Sequence, residues 1–338
     1  MKRRDFLVTA GLASAAAIPG IALAADVSTM SMPFAPGHWV SLFPKQDSQA
    51  IMADLLKRAP QIKGFYKRWY WSHLEVGATA ATAAYKLAEI QSDLDWCWAR
   101  GLKLIVMIQD KTFVMENPLP QYLAHKALPN RGRGYTAIRW DALVAARMQR
   151  LLVQIGSRFK NHSAFEGVGA EETAPSLTGA QMSSFDYTAT KYLDTYVTQI
   201  KALAAAAPAV RYFWHFNYVP GREDAAEYVV ARTRGCPLVV GGPDCWPNDE
   251  TLVRVAYPQY QKVDAYVPTS IVFSQYSYEQ LNPDGTYMTM QKVFDFARTN
   301  LKISYAFWCP MGQPYTSPKR RFADACVVIR NTQNWTGV

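Results

Sequence analysis

The sequence lacks the features that announce several protein classes. Its five cysteines, Cys97, Cys236, Cys245, Cys309 and Cys326, stand far apart with no CxxC pair. That spacing excludes a zinc finger or ribbon, and a chain of 338 residues does not imply a disulfide framework. The odd count leaves at least one thiol unpaired. No GxGxxG or Walker glycine pattern occurs, so the usual mark of a doubly wound nucleotide-binding sheet is missing. HxH and HExxH are also missing. The net charge is +9, yet apart from Lys2-Arg3-Arg4 at the very start only Lys319-Arg320-Arg321 forms a basic run, which counts against a dedicated nucleic-acid binder. Beyond residue 24 no stretch is apolar enough to span a bilayer, and no repeat, low-complexity tract or linker divides the chain. Charged residues make up only 19% against 49% hydrophobic ones, a composition that packs into a core and argues against disorder.

Aromatic residues are abundant. They make up 13% of the chain, with 10 Trp and 19 Tyr, and Trp and Tyr can serve as flat platforms for sugar rings or bases. The first residues form a targeting segment. Lys2-Arg3-Arg4-Asp5-Phe6-Leu7 resembles the twin-arginine export motif, an apolar run from Val8 to Leu23 follows, and Ala22-Leu23-Ala24 matches a cleavage site. Gly11, Pro19 and Gly20 interrupt that run, which is short for a membrane anchor. The expectation is a signal peptide over 1–24, export of a folded protein through the twin-arginine translocase to the periplasm or beyond, no stable membrane span, and one catalytic domain over 25–338.

Within that domain, strand-like and helical stretches alternate. Strands are predicted at 38–44, 62–71, 102–110, 165–172, 210–218, 237–244, 266–276 and 303–308. Helices are predicted at 48–58, 85–100, 141–159, 188–206, 224–233, 289–300 and 322–331, several of them opening on a capping Ser, Thr or Asp, and 250–263 reads as partly helical. Alternation implies a parallel sheet, and eight units imply a closed (β/α)8 TIM barrel with its chemistry at the strand C-ends. The long loop 111–140 is expected to be functional or mobile. The fourth strand is the centre of the reading. Small residues from Gly167 to Ala170 run directly into Glu171 and Glu172, and adjacent strand residues face opposite ways.

Other strand ends add polar and aromatic groups. Arg68-Trp69-Tyr70-Trp71-Ser72-His73-Leu74-Glu75 ends the second strand, and His215 and Asn217 end the fifth. Gly241-Gly242-Pro243 aims Asp244 at the end of the sixth, with Cys245-Trp246 beside it. Gln275 closes the seventh and Trp308 the eighth. Together these stretches resemble the retaining (β/α)8 glycoside hydrolases of the clan that includes cellulases and β-galactosidases. In that clan a W-x-x-L/I-E segment walls the sugar site, strand four ends in Asn-Glu, and strand eight often ends in a Trp that floors the site. The resemblance places the acid/base at Glu172, puts Glu171 where the clan has Asn, and makes Trp308 the floor; by its strand-end position Glu171 stands as the other candidate for the catalytic carboxyl. It departs at strand seven, where the clan's nucleophilic Glu is replaced by Phe273-Ser274-Gln275-Tyr276.

Glycoside cleavage needs one protonated and one ionised carboxyl. Three accounts of the second carboxylate stand: Glu279 on the loop after strand seven, Asp244 on strand six, or none. Asp244, whose pairing with strand four is similar to that in α-galactosidase-like barrels, is favoured because the Gly241-Gly242-Pro243 turn aims it and Trp246 walls it. Arg68 is expected to keep the ionised group charged. Trp71, Trp246 and Trp308 are expected to stack sugars, and Glu75 to order its loop or bind a hydroxyl. His215, Asn217 and Gln275 are expected to contact substrate. Gln109, Asp110 and Lys111 read as structural. The expected activity is hydrolysis of O-glycosidic bonds in a poly- or oligosaccharide without a cofactor. The alternatives are a catalytically silent carbohydrate-binding barrel and a metal-dependent hydrolase built on His38, His73 and His215.

Overall fold

A computed structural model describes residues 34–45, 47–310 and 322–335. The expected leader and the Lys319-Arg320-Arg321 run fall outside the described residues. Eight strands form a closed parallel barrel: β1 (Gly37–Leu42), β2 (Gly64–Tyr70), β3 (Lys103–Gln109), β4 (Phe165–Ala170), β5 (Arg211–His215), β6 (Leu238–Gly242), β7 (Thr269–Phe273) and β8 (Ile303–Trp308). Each strand pairs with its neighbours in sequence, and β8 closes on β1 with Gly37 opposite Tyr305. The fold is the TIM barrel that the alternation predicts.

A helix follows every strand: α1 (Gln49–Arg58), α2 (Ala88–Trp98), α3 (Ala142–Phe159), α4 (Ala189–Ala206), α5 (Ala225–Arg232), α6 (Tyr257–Val263), α7 (Met290–Asn300) and α8 (Phe322–Asn331). Ser48, Asp141, Thr188 and Thr289 each cap the helix behind them by accepting a backbone N–H, as their positions before apolar-periodic runs predict. One boundary differs from expectation. Residue 85 does not open a helix, because Ala84–Tyr85 pairs back on Glu75–Val76 in a short hairpin. Within 250–263, a π-turn, Leu252–Ala256, precedes α6. The long loop after β3 folds into a 3-10 helix and a hairpin, Ala127–Pro129 on Tyr135–Ala137, with the Arg-Gly-Arg-Gly stretch as its turn. Among the described residues no helix is long and apolar enough to cross a membrane.

Strand alternation divides the core in two. Trp39, Tyr66, Ile105, Met107, Phe213 and Phe307 fill the barrel interior. Val168, Tyr212, Trp214, Phe273 and Trp308 belong to the larger layer under the helices. The glycines of β4 make the interior possible. A Cβ on Gly169 would stand 2.1 Å from the Phe213 carbonyl oxygen and 2.7 Å from Met107 Sδ. Small residues on β4 thus let large ones from β3 and β5 meet across it, which holds the strand end that carries the two glutamates.

Candidate active site

On β1, β2, β3, β4 and β7 the inward phase continues past the apolar interior into a polar layer: Ser41, Arg68, Gln109, Glu171 and Ser274. Arg68 and Glu171 meet there. Arg68 Nε donates to Glu171 Oε1 at 2.9 Å, and Arg68 Nη1 donates to Ser41 Oγ at 2.7 Å. Both side chains are buried. Burial pushes the Glu171 carboxyl above its ordinary range. Arg68 pulls the other way, and the charges of Glu172 and Asp110 add to the rise.

Glu172 takes a different cation. Lys111 Nζ donates to Glu172 Oε1 at 2.5 Å, and Asn217 Nδ2 donates to Oε2 at 2.9 Å. Lys111 also donates to the Ala174 carbonyl at 2.6 Å and to Ser176 Oγ at 2.9 Å. Three acceptors match the three N–H bonds of an ammonium. Burial lowers the Lys111 pKa, opposed by Glu172, and the ring of acceptors suits a fixed cation rather than a nucleophilic amine. Asp110, next along the chain, binds Arg139 through two contacts of 2.7 Å each. Arg139 Nη1 in turn donates to the Glu172 backbone carbonyl and to Tyr192 Oη. The peptide between the glutamates and Thr173 is therefore clamped from the helix side.

Asp244 extends the cluster to β6 and β7. Ser274 Oγ donates to Asp244 Oδ1 at 2.8 Å, and Trp246 Nε1 donates to Ser274 Oγ at 3.1 Å. The Tyr260 hydroxyl lies in the field of both Asp244 and Glu172. The Cys309 thiol lies in that of both Asp244 and Glu171, and burial pushes it up to about 11. The three carboxylates thus share the C-terminal end of one barrel. Two buried acceptors flank them without a hydrogen-bond partner: Gln109 Oε1 on the β3 side and Asn217 Oδ1 on the β5 side. An orphaned buried acceptor is costly unless a ligand or water donor meets it.

Of the residues expected at the site, Arg68, Glu171, Glu172, Asn217, Asp244 and Trp246 are brought together. Gln275 lies half-buried beside Ser274, where it opens a 3-10 turn that ends at the exposed Glu279. Arg68, expected to keep Asp244 or Glu279 charged, pairs with Glu171, and four further expectations are corrected. Trp308 faces the helices, because Tyr305, Phe307 and Cys309 take the inward positions of β8. Its ring stacks on Phe273 at 4.0 Å and its Nε1 donates to His38 Nδ1, so it offers no floor to the mouth. Trp71 is wholly buried and donates to Glu75 Oε2 at 2.8 Å. Glu75 binds no hydroxyl from outside. It orders its hairpin, as the other half of that expectation has it, by accepting from Trp71, Arg147 and Tyr122 at zero exposure. His215 is sealed inside the barrel, stacked on Tyr66 at 5.1 Å.

The three histidines of the metallohydrolase alternative do not converge. His38 lies among Phe294, Trp308 and Trp335, His215 lies inside the barrel, and His73 is exposed against Tyr70. Sequence reasoning missed Ser41, Ser274, Cys309 and Arg139, and it read Lys111 without its partner. The signal for Lys111 was its place just past a buried strand end.

No family model matches the chain, and no curated protein matches it in sequence. Solved structures do match in fold. The exo-β-1,4-mannosidase Op5Man5 from Opitutaceae bacterium strain TAV5 superposes with a TM-score of 0.57 at 11% identity, over 89% of this chain and 60% of the mannosidase. A β-galactosidase from Bacillus circulans sp. alkalophilus gives 0.60 at 8% identity, over 88% and 56%. Endo-glycoceramidase II from Rhodococcus sp., in complex with a five-membered iminocyclitol, gives 0.57 at 10% identity, over 86% and 78%. The chain thus spans about three-fifths of the first two structures. At such identities the likeness is one of fold: the barrel is of the kind found in TIM-barrel glycoside hydrolases.

Proposed function

We propose that the protein is a glycoside hydrolase that cleaves O-glycosidic bonds of a poly- or oligosaccharide with carboxyls from β4 and β6. The observation that carries this reading is the inward Glu171, a buried carboxyl whose proton affinity is raised, at the same barrel end as Asp244. Glu171 serves as the proton donor to the leaving oxygen. Asp244, stabilised as an anion by the Ser274 hydroxyl, attacks the sugar or activates water. Glu172, which the sequence resemblance makes the acid/base, is held by the Lys111 ammonium and instead fixes Asn217 and the strand end. The unpartnered oxygens of Gln109 and Asn217 suit the hydroxyl donors of a sugar, and Trp246 supplies an aromatic wall. The glycosidase names of the fold neighbours support the same class.

The test is reducing-sugar release from a panel of glycans by the mature protein and by Glu171→Gln, Glu172→Gln and Asp244→Asn. Loss of at least about a hundredfold with Glu171→Gln and Asp244→Asn, and a smaller loss with Glu172→Gln, is expected. The largest loss with Glu172→Gln would return the acid role to Glu172. A second reading, a carbohydrate-binding barrel without turnover, is favoured by one observation: β7 presents Ser274 and Gln275 in place of a carboxylate. Glycan binding without release would establish it. Export through the twin-arginine translocase belongs to the same proposal and predicts a mature N-terminus at Ala25, readable by intact-mass measurement of the periplasmic protein.

A further inference from the structure

We propose that Ser41 is a positioning residue for Glu171. It anchors the Arg68 guanidinium so that Arg68 meets the carboxyl through one N–H only, and Glu171 Oε2 is left to carry the proton. The use of that proton in catalysis rests on the hydrolase reading. The anchoring itself rests on the contacts of Ser41, Arg68 and Glu171.

Arg68 is held by residues of β1, of β2 and of the turn after β1. Its Nη1 donates to Ser41 Oγ at 2.7 Å and lies 3.4 Å from the Leu42 carbonyl oxygen. The guanidinium carbon lies 4.2 Å from the centre of the Phe43 ring and 4.8 Å from that of Tyr66. The rings hold the plane of the guanidinium, and the Ser41 bond fixes its rotation within that plane. Ser41 is itself fixed: it has no exposure, and its hydroxyl also bonds the Cys309 thiol. Tyr66 is backed by His215, whose ring lies within 11° of parallel to it.

The bond that reaches Glu171 is single. Arg68 Nε donates to Oε1 at 2.9 Å, and among the described residues no other group donates to the Glu171 carboxyl. Arginine commonly meets a carboxylate as a fork, with two parallel N–H bonds to its two oxygens, and that geometry belongs to the ionised acid. An oxygen outside the fork can hold a proton, and a protonated carboxyl donates through that O–H. Closing the fork turns the guanidinium in its plane and draws Nη1 off Ser41. The serine thus opposes the arrangement that would keep Glu171 ionised.

Other charges act on the same carboxyl. Among the described residues, the titratable and charged groups that face Glu171 are Arg68 and Tyr66 from β2, Asp110, Lys111 and Arg139 from the β3 side, Glu172 beside it and Cys309 just past β8. Asp244 shares the field at Cys309. Ser41 carries no charge, so replacing it leaves each of these charges in place and acts on Glu171 through Arg68.

A carboxyl 13C NMR titration of glutamate-labelled protein tests the proposal, with Glu171→Gln identifying the Glu171 signal. Ser41→Ala is expected to lower the Glu171 midpoint by about one pH unit, which is tenfold in proton affinity. Ser41→Thr, which keeps the hydroxyl, is expected to restore the midpoint. In an Arg68→Lys background Ser41→Ala is expected to have no effect, because an ammonium cannot form the fork. Thermal unfolding of each variant checks that the folded protein is titrated. An unmoved or raised midpoint in Ser41→Ala, or a shift that persists in the Arg68→Lys background, would overturn the role. In an active hydrolase the alkaline limb of kcat/KM moves down with the midpoint. A shifted midpoint in a protein that cleaves no glycan would leave Ser41 its role and remove the hydrolase reading. Cleavage with an unmoved midpoint would do the reverse.

Discussion

Lys111 and Glu172 form an ion pair of 2.5 Å in which the lysine has no exposure to solvent. They lie 61 residues apart, on the ends of adjacent strands. The next residue back, Glu171, is bound by Arg68 from the other side. Two neighbouring glutamates are thus separated by the cation each one takes, and a barrel mouth with two acids in sequence acquires two different electrostatic sites.

Removing the lysine takes the Lys111 cation away from a buried Glu172 carboxylate. Lys111→Met should lower stability by about 3–5 kcal/mol, as for other broken buried pairs. Lys111→Met with Glu172→Gln should recover part of it, because no buried charge is then stranded. Urea unfolding of the single and double variants measures both. Equal stability of wild type and Lys111→Met would refute the role of the pair.

The raised Glu171 pKa sets a direction for pH. The folded protein binds this proton more tightly than the unfolded chain, whose value is near 4.5. Its contribution to stability is therefore full below that value and lost as pH rises through the folded pKa. Activity that uses the Glu171 proton should fall over the same rise. Glu171→Gln should flatten the stability profile above pH 4.5 and abolish the alkaline limb of the rate profile. A limb retained in that variant would assign the proton to another group.

His38 works in the opposite sense. Burial lowers its pKa from 6.5 to about 4, opposed by its bond to Thr332 and helped by Lys63. Between those values the unfolded chain binds the extra proton, so stability should fall as pH drops from 6.5 toward 4. The loss is bounded at about 3 kcal/mol by the size of the shift. His38→Gln should shrink this acid-side slope, measured as melting temperature against pH. An unchanged slope would place the titration elsewhere, with the buried His215 as the next group to replace.

Glu75 tests the corrected reading of the second strand. Its carboxylate gathers Trp71, Tyr122 and Arg147 without exposure. Glu75→Gln should cost about 3 kcal/mol in chemical unfolding. Glycan affinity of the folded variant should match wild type, because no contact of Glu75 opens to the mouth. Selective loss of affinity with stability intact would restore a role in binding.

Much of the fold was legible because its signals are local. Buried strands such as β3 read as continuous apolar runs, α3 and α4 carry helical periodicity, and Asp141 and Thr188 mark helix starts from neighbouring residues alone. The hairpin at Glu75–Val76 and Ala84–Tyr85 was not legible. Its strands are two residues each, too short for a period, and its purpose appears only when Arg147 arrives from 72 residues away.

The candidate site divides in the same way. That carboxylates stand at the ends of β4 and β6 follows from where two apolar runs stop. Which way a strand-end side chain points depends on phase, and a shift of one residue exchanges inside for outside. That is why Trp308 belongs to the helix layer and Cys309 to the mouth.

By itself, the amino-acid sequence determined the eight alternating units, the helix caps and the acidic strand ends, since each depends on residues within a few positions of one another. Only the tertiary structure decided which cation holds which glutamate, which tryptophans are walls and which are core, and which acceptors are left open. Those outcomes depend on strand register and on contacts between residues 45 to 103 positions apart, such as Asn217 with Glu172 and Arg68 with Glu171, and barrel closure alone brings them together.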